Sequence, residues 1–103
     1  MIGNLFEKLK EARRKIEESK KKLNDIIVVV SVENGAIKVV ANANKSVKSI
    51  EISETFLKEA DKESFEELLL TAVNKALDEA AKKGEAEMKE ITKDILPNFP
   101  GLV

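Results

Sequence analysis

The chain has 103 residues, 43% hydrophobic and 36% charged, which is enough for one core and too apolar for a disordered segment. It contains no Cys, His, Tyr or Trp, so disulfides, thiolate chemistry, the commonest general base and the best metal ligands are all missing. No basic leader with an apolar run and a cleavage site opens the sequence, and no apolar run approaches the ~20 residues of a membrane span, so a cytoplasmic address is expected.

Residues 2–24 read as one helix of about 34 Å. Ile2, Leu5, Leu9, Ala12, Ile16, Ser19 and Leu23 form a heptad seam, and Glu11–Lys15, Glu17–Lys21 and Glu18–Lys22 have the favourable i,i+4 polarity. A β-branched run, Ile26 to Val32, follows. Asn34-Gly35 is a two-residue hairpin signal, and Ala36 to Ala43 is the returning strand. A type I′ turn would set Val32 against Ile37, Val30 against Val39, Val28 against Ala41 and Ile26 against Ala43, giving one continuous apolar face. The opposite face is polar near the turn at Glu33, Ser31 and Lys38 but carries Ile27, Val29 and Val40 further back. A sheet covered by helices on one side does not need that second apolar patch. A chain of this size also buries only somewhat more than ~60% of its unfolded surface, so dimerisation would add useful burial.

Asn42, Asn44 and Lys45 mark the next turn. A third strand, Val47 to Ile52, alternates Lys48, Ile50 and Ile52 with Val47, Ser49 and Glu51. Ser53 to Glu59 reads as a short helical turn. A long helix starts near Asp61–Ser64, where Ser64-Phe65-Glu66-Glu67 fits a capping box. Its stripe comprises Phe65, Leu68, Leu69, Ala72, Val73, Ala76, Leu77, Ala80, Gly84, Met88 and Ile91, and the small residues on it permit close approach of a neighbour. The tail, 96–103, is apolar and broken by Pro97 and Pro100. The expected fold is one α+β domain over 1–103. It comprises a basic helical arm (1–24), a three-stranded antiparallel meander (26–52), a helical segment with a short and a long C-terminal helix (54–95), and the apolar tail.

Candidate chemistry is sparse. Glu66-Glu67 with Asp61 and Glu63 reads either as a hard-metal cluster or as acids complementing a helix dipole. The serines lack a nucleophile's context, and neither a Walker loop nor a G-x-G-x-x-G is present. No enzyme, cofactor, resident metal, membrane partner or small-molecule substrate is expected.

Charge patterning is more informative. The formal net charge is only −1, yet residues 1–24 carry eight basic and four acidic side chains, a net +4, leaving −5 for the remainder. The basic residues are Lys8, Lys10, Arg13, Arg14, Lys15, Lys20, Lys21 and Lys22. Lys8, Lys15 and Lys22 share heptad position g, while Arg13 and Lys20 share e, so two copies of this helix would repel and the seam should pack on the long C-terminal helix instead. The cations form either a solvated helix face or an anion-binding surface. With four Phe as its only aromatic residues, the chain lacks the stacking platforms of single-strand readers.

Taken together, the basic first helix, the hairpin Val28–Val40, the stretch Val47-Lys48-Ser49-Ile50-Glu51-Ile52, the run Leu68-Leu69-Leu70-Thr71-Ala72-Val73-Asn74-Lys75-Ala76, Met88 and the closing Pro97–Gly101 segment resemble the YbaB/EbfC family of bacterial nucleoid-associated proteins over nearly the whole chain. The resemblance implies a non-enzymatic homodimer, joined through its sheets and holding long helices apart like a tweezer, that binds duplex DNA at the nucleoid. On that basis the eight basic residues of helix 1 are the expected DNA contacts, and Ile27, Val29 and Val40 the expected dimer interface. The chain departs from the family in having Glu33-Asn34-Gly35 where glycine runs are usual, and Asn42-Ala43-Asn44 where a further glycine is common. The alternative, from another class, is a non-catalytic protein–protein adaptor using its helical arms or the tail residues Leu96, Phe99, Leu102 and Val103; the favoured reading of the tail itself is docking on the protein's own core.

Overall fold

A computed structural model describes the chain over residues 2–95, with side chains over 4–93; the tail and its four apolar residues lie outside that range. The order is α1 (Ile2–Leu23), β1 (Ile27–Val32), β2 (Ile37–Asn42), β3 (Ser46–Ile52), α2 (Glu54–Glu59) and α3 (Lys62–Ile95). It is the expected α+β arrangement: an N-terminal helix, an antiparallel sheet ordered β1-β2-β3, a short helix and a long one.

Alternation along the hairpin sets its register, because a slip of one residue would turn the apolar set outward. Val28 pairs with Ala41, Val30 with Val39 and Val32 with Ile37, as the turn chemistry requires. Asn34 (φ 53°) and Gly35 (φ 89°) are left-handed, as in a type I′ turn, and the Ala36 N–H donates to the Glu33 carbonyl at 3.1 Å. Glu33 is also left-handed (φ 48°), a conformation that costs a residue with a Cβ roughly 1–2 kcal/mol.

One sheet face carries the core. Val28, Val30, Ile37, Val39 and Ala41 pack against Ala72, Ala76 and Ala80 of α3, with Ile52, Phe56, Leu68, Leu69 and Val73 around them. The three alanines let the helix axis lie close to the sheet, while the larger residues flank that line. Every residue of the predicted α3 stripe is buried or half-buried. The Phe56 and Phe65 rings stack at 5.7 Å and join α2 to the start of α3.

Two local expectations are corrected. The third strand does not alternate throughout: its pairing shifts between Val40 and Ala41, so Ser49 opposes Val40 while Val47 opposes Ala41. Lys48 is the extra residue of a β-bulge, and Val47 thereby joins the face of Ile50 and Ile52. The α3 start is also set differently. The helix begins at Lys62, and Phe65 N–H donates to the Asp61 carbonyl at 3.0 Å, which puts Asp61 at the cap position. Ser64 therefore lies within the first helical turn rather than capping it.

Hydrogen bonding from Ser64 holds the Asp61 carboxyl below its ordinary pKa. The stabilisation is thus complete above the ordinary carboxylate range and is lost as pH falls through the depressed folded value. An Asp61→Ala variant is expected to be less stable than the parent at neutral pH and equal to it in strong acid, as read by circular dichroism melts across pH. A stability difference independent of pH would exclude the titrating cap. By contrast α2 is capped by an uncharged hydroxyl, Ser53 Oγ accepting from Phe56 N–H at 3.1 Å.

Candidate nucleic-acid interface

The basic residues of α1 stand on an arm that is anchored at one end. The arm's C-terminus meets the turn between β2 and β3. There the Ala43 N–H donates to the carbonyls of Leu23 (3.2 Å) and Ile26 (2.9 Å), and Asn44 Nδ2 donates to the Lys20 carbonyl at 3.0 Å and to Asn24 Oδ1. Asn42 Oδ1 accepts from the backbone N–H groups of Asn44 (3.0 Å) and Ser46 (3.2 Å), which fixes the turn. Gly84 of α3 lies so close to this turn that a Cβ there would stand 2.6 Å from the Ala43 carbonyl oxygen and 4.0 Å from Leu23. Asn44 and Gly84 thus position the arm. Their sequence signal was only a polar turn and one glycine on a helical stripe.

From this anchor α1 runs antiparallel to α3, since Leu23 lies by Gly84 and Lys20 lines a cleft with Met88. Leu23 and Ser19 are buried, and Ile16 and Ala12 are half-buried. Ser19, polar within the seam, donates to the Lys15 carbonyl at 2.7 Å. The expected packing of the seam on the long helix therefore holds over its C-terminal half. Further out Leu5, Phe6 and Leu9 are exposed by 57%, 63% and 52%. The molecule is accordingly long, with principal extents of 69 × 23 × 18 Å.

All eight candidate DNA-contact residues, Lys8, Lys10, Arg13, Arg14, Lys15, Lys20, Lys21 and Lys22, are exposed. The expected Glu–Lys pairs are replaced by others. Arg14 binds Glu18 at 2.8 Å and also Glu11, while Lys20 lies 3.9 Å from Glu17. The planar guanidinium can reach a carboxylate on either side, which a lysine at i+4 cannot do at once. The Glu11 hydrogen bond holds Arg14 even more firmly protonated, followed by the charges of Glu11 and Glu18. Among the described residues Lys8, Lys10, Arg13, Lys15, Lys21 and Lys22 have no carboxylate within 4.0 Å. Lys20, Lys21 and Lys22 also occupy the last turn of α1, where the helix dipole favours cations.

On the sheet face away from α3, Ile27 and Val29 are exposed by 48% and 56%, with Val40 half-buried beside Val29. Lys38 and Glu51 pair across the same face at 3.7 Å. Of the acidic residues near the α3 start, Asp61 caps and Glu66 lies 3.9 Å from Lys62. Among the described residues no group of three or more acidic side chains converges to hold a metal ion, and no helix is long and apolar enough to cross a membrane.

The sequence profile of the YbaB/EbfC DNA-binding family matches residues 1–95. The chain belongs to this family. A nucleoid-associated protein of Flavobacterium johnsoniae is 35% identical over 101 residues, which cover 98% of this chain and 93% of that one. A nucleoid-associated protein of Pseudothermotoga lettingae is 36% identical over 98 residues, covering 94% and 82%. The fold is similar to the crystal structure of an uncharacterized Helicobacter pylori protein, with a TM-score of 0.62 at 20% identity, covering 85% of this chain and 98% of that one. The YbaB/EbfC family is a DNA-binding one and not a known family of enzymes.

Proposed function

We propose that the protein is a nucleoid-associated, non-catalytic homodimer that binds duplex DNA mainly through phosphate contacts from α1. The observation that carries this reading is the row of exposed, largely unpaired cations on an anchored arm, in a member of a DNA-binding family. Lysine is a point charge that attracts phosphate without reading base edges, so binding is mainly electrostatic and only mildly sequence-selective. The remainder of the chain is acidic overall, at −5, so the attraction is strongest at the arm. Two arms per dimer double the available cations. The dimer joins through the sheet face bearing Ile27, Val29 and Val40, and it works at the nucleoid.

Replacing Arg13, Arg14 and Lys15 by Ala takes the 1–24 segment from +4 to +1. None of the three lies on the buried seam, so helix content should be retained. Duplex affinity, measured by fluorescence anisotropy, is expected to fall and to become less salt-dependent. A triple variant that binds as tightly as the parent with the same salt slope would remove α1 from the DNA surface. The exposed stripe Leu5, Phe6 and Leu9 supports a second reading, an adaptor that grips a protein partner with its arms. That reading takes precedence if the parent fails to bind duplex even at low salt.

A further inference from the structure

Resting on that reading, we propose that the turn between β2 and β3 belongs to the phosphate-binding surface, with Lys45 and Lys48 extending the cations at the end of α1. Two backbone irregularities lie in this short stretch, and each presents an exposed lysine. Lys45 is left-handed at φ 63°, held there by its N–H donating to the Asn42 carbonyl at 3.0 Å and by the Asn42 side chain bridging the turn. Glycine or asparagine would occupy that conformation at lower cost, and an exposed lysine gives the core nothing in return. Such strain is retained where a side chain is needed for another reason. Lys48 is the residue added by the bulge, and bulges re-aim side chains.

Placement ties Lys45 directly to the end of the arm, and Lys48 follows it three residues along the same turn and strand. Lys45 and Lys20 line the same shallow cleft of about 270 Å³, together with Asn44 and Leu23. Asn44 binds the Lys20 carbonyl directly, so the turn and the end of the arm are held as one piece. Lys20 of the arm thus shares the cleft with Lys45, a cation contributed from more than twenty residues along the chain. Glu85 is the carboxylate in the cleft lining and leaves the local balance positive. Lysines from two elements lining one cleft, with no aromatic ring beside them, suit the spaced charges of a phosphodiester backbone and not a stacked base.

The test compares duplex binding by the parent, by K45G/K48A and by the Arg13, Arg14, Lys15 triple variant. Lys45→Gly keeps the left-handed backbone and removes the charge, so the melting temperature of K45G/K48A should not fall. Its duplex affinity at about 100 mM salt is expected to drop by up to about a hundredfold. The magnitude of its salt slope should drop by about 2, one phosphate contact per protomer of a dimer. K45Q/K48Q, which removes charge without adding glycine, should show the same loss. Parental affinity and slope in both double variants, alongside a weakened triple variant, would overturn the inference and leave the α1 reading standing. Absence of duplex binding by the parent would overturn both.

Discussion

Replacing Gly84 by Val is expected to lower the unfolding free energy by about 3 kcal/mol, the upper end of the usual cost of overpacking. Helix propensity alone predicts the opposite sign, since glycine is the poorest interior helix former after proline. Sterics decide the outcome. A Cβ at this position stands 2.6 Å from the carbonyl oxygen of Ala43, which is backbone, and the Ala43 N–H is itself bonded to the carbonyls of Leu23 and Ile26. The obstacle cannot rotate away as a side chain would, so either α3 shifts or the turn does. Both movements loosen the base of the α1 arm. Gly84→Ala should be milder, because a propensity gain of about 1 kcal/mol offsets part of the clash. Urea unfolding of the two variants reads this directly, and unchanged stability in Gly84→Val would mean that the close approach is absent in solution.

Val29→Asp is expected to convert a dimer of roughly twice 11.4 kDa into monomer, or to unfold the chain, at micromolar concentration. Val29 is 56% exposed in the single chain, where an aspartate would stay hydrated and cost little. A large effect therefore requires that a second copy cover this face. Two symmetry-related carboxylates buried without partners would cost several kcal/mol, and each 1.4 kcal/mol weakens dimerisation tenfold. Sedimentation equilibrium distinguishes the outcomes. A parent that sediments as a folded monomer, or a dimer indifferent to Val29→Asp, would place the interface elsewhere or nowhere.

The elements that were legible in the sequence are those whose pattern is governed by one repeating constraint. Alternating valines opposite Ile37, Val39 and Ala41 admit a single register once Asn34-Gly35 makes the turn. The α3 stripe was equally readable, because burial on one helical face leaves the same signature from Phe65 to Ile91. The features that escaped depend on contacts between distant segments or on a choice between near-equal local partners. Nothing near Asn44 announces that its amide will bind the carbonyl of Lys20, and nothing in Val47–Ile52 marks Lys48 as a bulge. Asp61 and Ser64 are both good caps three residues apart, and packing of Phe65 on Phe56 accompanies the earlier one. The α1 cations were identifiable as residues, but their pairing was not, since exposed ion pairs differ by only a few tenths of a kcal/mol.

Fluorescence anisotropy of a labelled duplex, titrated with the parent protein at about 50 and about 200 mM salt, tests most directly whether phosphate contacts drive binding. With four to six cations of the paired arms on phosphates, the slope of log affinity against log salt should be about −4 to −5. Affinity should then fall by several hundredfold between the two conditions, with little change when the duplex sequence is scrambled. Binding that hardly responds to salt, or no binding at the lower salt concentration, would contradict a phosphate-driven DNA-binding function for this arm.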